Sequence, residues 1–384
     1  MASLGFKRNN FEFMDNNNLT TEKDKPLITE SARVSKREIY DYKSACLISS
    51  VDFSHKFNKA LRLAIASYLE QYDNYIRIVQ LDEDSHDQQI RTVTELLHPY
   101  PATRVKWAPR TIRLGEHEVL ASSADHLRIW RVPQAGHAKL ECLLNANSTS
   151  TKTKPSCPLT SFDWNDIDTS LIVTSNAADN TCTLWNLETN SILSGTIDPT
   201  KSLQLTCHQH RSVGVYDVSF SRYGSGRDVF VSCGRDGTVR MCDIRHPNNV
   251  TIIYDNIADK RPLLRVSCSQ MDPNLIATFA IDSNDILVID LRYPGKGPRS
   301  VLRNHCDNVK AMSWAPHLRH HICSGADDGQ TFIWDISRGG SQVEEIKPSL
   351  TYKAKGKING TSWSSAHPDW IAICYRDNLE LLRV

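Results

Sequence analysis

The sequence predicts an all-β protein, a propeller of seven blades. One phrase carries the prediction. "CGRDGTVRMCDIR" (Cys233–Arg245) has near copies in "SSADHLRIWRV" from Ser122, "NAADNTCTLWNL" from Asn176 and "GADDGQTFIWDI" from Gly325. Looser copies begin at Tyr72, Ser283 and Tyr375. Each sets an Asp-containing turn between alternating apolar and polar residues, which is a β-hairpin signal. The second observation is the period. The copies close on Ile78, Trp130, Trp185, Cys242, Ile289, Trp334 and Leu382, at spacings of 45 to 57 residues. A propeller blade takes roughly 40–45 residues before loops are added. No copy can bury its apolar face alone, and radial stacking covers all of them.

Residues 1–36 are polar, Asn-rich and weakly periodic, and read as a disordered tail; the propeller is expected over 37–384. "REIYDYKSA" from Arg37 alternates like a strand. The chain ends at "LELLRV", one strand short of a four-stranded blade. The early strand is therefore expected on the outside of the last blade, where it removes the open edges of the ring.

"LDEDSHDQQIR" from Leu81 reads as an acidic surface connection. The basic "RVKWAPRTIR" from Arg104 reads as a solvated blade loop, with an anionic-partner contact as the alternative. "NANSTSTKTKPSCP" from Asn145 reads as a mobile insertion, near 145–158. "YPGKGP" from Tyr293 reads as an inter-blade loop.

The best copy also has an upstream half, "HCDNVKAMSWAP" from His305. His305, Ser324, Asp328 and Trp334 resemble the hydrogen-bonded tetrad of WD repeats. Buried polar groups need partners, and four in a chain satisfy one another across strands. The role expected of them is structural. The Cys233–Arg245 copy offers His210, Ser232 and Asp236 but has Cys242 in the Trp position, so its tetrad is incomplete.

Composition narrows the function. There are 45 basic and 44 acidic residues, a net charge of +1. That gives no field to attract nucleic acid or an anionic membrane. No apolar run approaches a membrane span, and "MASLGFKRNNFEFMDNNNLT" has no apolar signal core. The expected location is cytoplasmic and nuclear. The 11 cysteines contain no C-x-x-C spacing. Cys182, Cys242, Cys323 and Cys374 fall on expected strands, as small hydrophobes. His317, His320 and His321 crowd before Cys323, but in a turn, so no metal and no cofactor is expected. No G-x-S-x-G, P-loop, kinase or H-E-x-x-H motif occurs. "YGSGRD" from Tyr223 reads as a hairpin loop. A non-catalytic binding protein is expected.

The last 175 or so residues resemble one WD40 family, that of the plant Transparent Testa Glabra and anthocyanin regulators and their animal counterpart. The stretches that carry it are "VYDVSF" (Val215), "GRDGTVRMCDIRH" (Gly234), "RPLLRVS" (Arg261), "DPNLIATFAID" (Asp272), "HICSGADDGQTFIWDI" (His321) and "HPDWIAICYRDNLELLRV" (His367). The resemblance implies a scaffold in signalling or transcriptional regulation. It implies DYRK-type kinases, MYB or helix-loop-helix regulators, and small-GTPase signalling proteins as partner classes. Its animal counterpart is also described as a cullin–RING associated factor. A second function class follows, a substrate receptor of a cullin-4 ubiquitin ligase. "MCDIR" ends at Arg245 and "VIDLR" at Arg292, each keeping the Asp and Arg of a W-D-x-R box without its Trp. Arg245 and Arg292 are thus candidate contacts for the ligase adaptor, unless each merely braces its own turn.

Overall fold

The computed structural model describes residues 39–384 apart from 58–59, 71, 83–88, 110–116, 135, 145–157, 179, 188–204, 209–213, 248, 257–259 and 339–345. The tail 1–36, His210 and nearly all of the 145–158 insertion lie outside the described residues.

The strands form seven antiparallel four-stranded sheets. Blade 1 is β2 to β5 (Leu47–Phe53, Ala60–Tyr68, Asn74–Asp82, Ile90–His98) and blade 2 is β6 to β9 (Arg104–Trp107, Glu118–Ser123, Leu127–Val132, Lys139–Leu144). Blade 3 is β10 to β13 (Leu159–Trp164, Leu171–Asn176, Thr181–Asn186, Leu205–His208). Blade 4 is β14 to β17 (Val215–Ser221, Val229–Gly234, Thr238–Asp243, Val250–Asp255). Blade 5 is β18 to β21 (Leu263–Cys268, Leu275–Ala280, Asp285–Asp290, Ser300–Arg303) and blade 6 is β22 to β25 (Val309–Trp314, His321–Ala326, Gln330–Asp335, Leu350–Lys353). Blade 7 takes β26 to β28 (Gly360–Trp363, Trp370–Tyr375, Asn378–Arg383) from the end of the chain and β1 (Ile39–Lys43) from its start. The seven-bladed all-β architecture is the one the repeat predicts.

Within each blade the first strand is innermost, and the first strands pack on one another around the axis. Two faces follow from the connectivity. The upper face carries the turns between second and third strands and the links between blades. The lower face carries the first-to-second and third-to-fourth connections. The segment at Tyr293 joins β20 to β21, so it lies within blade 5 on the lower face, not between blades.

The core is divided as the repeat demands. Seven apolar clusters lie between consecutive blades, one at each interface. Phe162, Phe230, Phe279 and Phe332 are wholly buried there, each contributing about 2–3 kcal/mol by burial. Cys182, Cys242, Cys323 and Cys374 are buried on strands. Burial pushes the Cys323 and Cys374 thiols up to about 12, so they pack as apolar groups.

A polar layer crosses the inner strands. Asp52, Lys106, Asp163, Ser219, Ser267, Ser313 and Ser362 occupy matching register positions, one per blade. The Trp107 N–H donates to Asp52 Oδ2 at 2.9 Å, and Lys106 Nζ donates to Asp163 Oδ1. The Phe220 N–H donates to Asp163 Oδ2 at 2.7 Å, and the Cys268 N–H to Ser219 Oγ at 3.3 Å. The Trp314 indole donates to the Ser267 carbonyl at 3.0 Å, and the Trp363 N–H to Ser313 Oγ at 3.2 Å. Ser362 Oγ donates to Asp52 Oδ1 at 3.1 Å and returns to blade 1. All seven junctions are bridged.

Closure rests on β1, which pairs with β28 from Ile39↔Leu382 to Lys43↔Asn378. Strand β28 is the third of its blade, held between β27 and β1. A chain lacking Leu381–Val384 loses the second half of that strand and leaves β1 and β27 without most of their ladder. Circular dichroism and sedimentation should find this truncation unfolded or aggregated. A truncated monomer with unchanged melting would show that the ring is not closed there.

Candidate protein-interaction faces

His305 sits in the link between blades 5 and 6, and its Nδ1–H donates to Asp328 Oδ2 at 3.0 Å. Its Nε2 accepts from Ser324 Oγ at 2.8 Å, and Ser324 Oγ accepts from the Trp334 indole at 2.8 Å. The four residues make one chain of hydrogen bonds, with His305, Ser324 and Trp334 buried and the Asp328 side chain 6% exposed. Burial holds the His305 pKa down, with Asp328 opposing.

A parallel chain escapes the sequence pattern. His98 Nδ1–H donates to the Tyr100 carbonyl at 2.5 Å, and its Nε2 accepts from Ser122 Oγ at 3.1 Å. Ser122 Oγ accepts from the Trp130 indole at 2.9 Å. Asp125, in the turn that follows Ser122, holds Arg128 and His126. The His–Ser spacing here is 24 residues against 19 in the best copy, so the spacing of the copies does not reveal it.

The basic stretch at Arg104 is not a solvated loop at its start. Arg104 and Lys106 lie on β6, the innermost strand of blade 2. Arg104 pairs with Asp217 at 3.1 Å, and Lys106 pairs with Asp163. The histidine-rich segment is also structural. His321 opens β23 opposite Asp335, and the His317 ring stacks edge-on against Trp363. Among the described residues, no three His, Cys, Asp or Glu side chains are placed to hold a metal ion, and no helix is long and apolar enough to cross a membrane.

Arg245 and Arg292 follow the third strands of blades 4 and 5, so both stand on the lower face, one blade apart. Their poses match. Arg245 Nε and Nη2 fork onto Asp243 at 2.9 and 2.6 Å, and Arg292 Nε and Nη2 fork onto Asp290 at 2.9 and 2.6 Å. Each fork holds its carboxyl below the usual carboxylate range. Both arginine side chains remain more than half exposed, at 63% and 52%.

Blade 6 separates bracing from display. There Ser337 stands where the arginines stand. The Ser337 N–H donates to Asp335 Oδ1 at 2.9 Å, as the Arg245 N–H does to Asp243 at 2.9 Å and the Arg292 N–H to Asp290 at 3.0 Å. The Asp closes the turn through the backbone whatever the side chain that follows. A guanidinium is therefore not needed to form it. What the carboxylate does add is orientation, since the rigid fork fixes a cation that is still open to a partner.

Comparison with known proteins places the chain. It is 39% identical over 91% of its length to the DDB1- and CUL4-associated factor 7 homolog of Dictyostelium discoideum, all of which is covered. The chain belongs to that WD-repeat family. It matches the family "WD domain, G-beta repeat" over residues 201–243 and 296–335. It is 31% identical to an uncharacterized WD repeat-containing protein of Schizosaccharomyces pombe, with 84% of each chain covered. A chain of the COPII outer coat vertex shares the fold, with a TM-score of 0.68, 15% identity, and 89% of this chain and 85% of that one covered.

The buried histidines give this family member a pH dependence. His98 is 2% exposed, and burial holds its pKa down at about 4, against an ordinary 6.5. The unfolded chain binds a proton below about pH 6.5 while the folded chain does not, so stability falls with pH in that window. The loss by pH 5 should be roughly 2 kcal/mol from His98. Urea midpoints measured from pH 7.5 to 5 should show it, and a His98→Asn chain should show a shallower fall. A flat profile in the parent chain would contradict the assignment.

Proposed function

We propose that this chain is a non-catalytic protein-interaction adaptor whose lower face docks on the DDB1 adaptor of a cullin-4 ubiquitin ligase. The observation that carries the reading is the matched pair, Arg245 and Arg292. Two consecutive blades present the same carboxylate-held guanidinium on one face, and blade 6 closes the same turn without one. The name of the Dictyostelium relative, which associates that protein with DDB1 and CUL4, supports the partner. The rigid ring supports the adaptor role, since loops held on a fixed disc carry recognition.

The resemblance of "HPDWIAICYRDNLELLRV" and its companion stretches supports a second role on the same scaffold. Kinases of the DYRK type, or MYB and helix-loop-helix regulators, would be clients carried by other loops. Holding two proteins on one disc raises the concentration each experiences of the other.

Arg245→Ala with Arg292→Ala should separate these contacts. Each arginine anchors a central contact once desolvated, so the double variant should bind purified DDB1 about a hundredfold more weakly or worse. Its melting should match the parent, because the turns close through Asp243 and Asp290. Kinase capture should persist. A well-folded double variant that binds DDB1 as the parent does would overturn the docking assignment.

A further inference from the structure

The upper face of blades 4 to 6 gathers cations, three of which have no ion-pair partner among the described residues. Arg235 lies in the turn between β15 and β16 and is exposed. Lys260 and Arg261 lie in the link from blade 4 to blade 5 and are also exposed. The two segments touch. A Cβ placed on Gly237 would meet the Arg261 carbonyl at 3.0 Å and the Lys260 carbonyl carbon at 3.5 Å. Gly237 has a φ of +73°, so a side chain there is excluded twice over. The Asn256 N–H donates to the Gly237 carbonyl at 3.2 Å and ties the link to the turn.

From Arg261 the chain runs straight into β18, and Arg265 enters the central channel. The channel there encloses about 210 Å³. Lys310 reaches the same mouth from β22. Among the described residues neither Arg235, Lys260 nor Arg265 has an ion-pair partner. Three carboxylates close by are engaged. Asp236 holds Arg240 at 2.9 Å and Thr238 at 2.8 Å. Asp217 takes Arg104 and the Val266 N–H, at 3.1 and 3.0 Å. Asp327 lies 3.8 Å from both Lys310 and Lys357.

We propose that this track binds an extended acidic peptide segment of a partner protein, with one carboxylate entering the channel mouth on Arg265. Charge complementarity selects this occupant. The whole chain is near neutral at +1, so a cationic line of this kind is a local feature. Guanidinium groups pair with carboxylates in bidentate fashion. The track faces away from Arg245 and Arg292, so this site and the lower face can be filled together, and its failure would leave the ligase assignment untouched.

The test is fluorescence anisotropy on the full chain with a fluorescein-labelled oligo-glutamate peptide at low ionic strength. The parent should bind, and binding should weaken as salt is raised. Arg265→Glu should lower affinity by about tenfold or more, as truncating or reversing a charge at a matched pair does. Arg235→Glu with Lys260→Glu should do the same. Both of those side chains are exposed, so that variant keeps its fold if Arg265→Glu does not. Lys139→Glu, on the outer strand of blade 2, should bind as the parent does. Failure of the parent to bind the peptide would overturn the proposal. So would unchanged binding by the Arg235→Glu, Lys260→Glu chain. Tighter binding of an oligothymidylate of equal charge would overturn it in favour of a nucleic-acid site.

Discussion

Asp52 accepts from blade 2 through one carboxylate oxygen and from blade 7 through the other. It is the joint of a polar layer that bridges every pair of neighbouring blades around the channel. The rest of the structure depends on this layer. Apolar packing brings the blades together, but packing is non-directional and would tolerate sliding. Hydrogen bonds from one inner strand to the next fix each blade's height and tilt. They also give inner-strand polar groups partners that the sheet itself cannot supply. Bulges just above the layer help. In blades 1 and 3 the register shifts at Ser49 and Thr160, and those hydroxyls donate to the next blade's Ala102 and Val215 carbonyls, each at 2.9 Å.

A ring held this way presents its two faces as separate, fixed surfaces. The lower face shows a pair of cations steered by their own carboxylates. The upper face shows a cationic line leading into the channel. Neither requires a moving part. The physical device in both is the same: a carboxylate is spent within the fold, and a guanidinium is left facing out. An adaptor needs this arrangement, because two partners must be held at a known separation and neither must disturb the other's site.

Much of this was legible in the chain. The hairpin phrase marks third strands because Asp and Gly are required by turn geometry wherever it occurs. The His305 chain of hydrogen bonds was legible because its Ser, Asp and Trp all lie in that phrase. Arg245 and Arg292 were legible for the same reason. The polar layer was not. Its residues differ from blade to blade, and each bonds to a strand some 50 residues away, or 310 away where Ser362 closes the ring on Asp52. In hindsight the signal is a short polar residue just before an aromatic: Asp52–Phe53, Asp163–Trp164, Ser219–Phe220, Ser313–Trp314, Ser362–Trp363. Arg104 was misread as loop because an inner strand turns charge toward the channel, which breaks the alternation expected of a buried strand. Tyr293 was misplaced because a Pro- and Gly-rich link looks the same within a blade as between two.

The account stands on the layer acting as one closed ring. Scanning calorimetry of Asp52→Ala tests it directly, since that change removes the contacts to blades 2 and 7 at once. The account predicts one transition, with equal calorimetric and van't Hoff enthalpies, and a loss of roughly 3 kcal/mol from two hydrogen bonds to a charged acceptor. Asp52→Asn, which keeps an acceptor oxygen, should lose less. An unchanged melting temperature in Asp52→Ala, or blades that melt in separate steps in the parent chain, would contradict it.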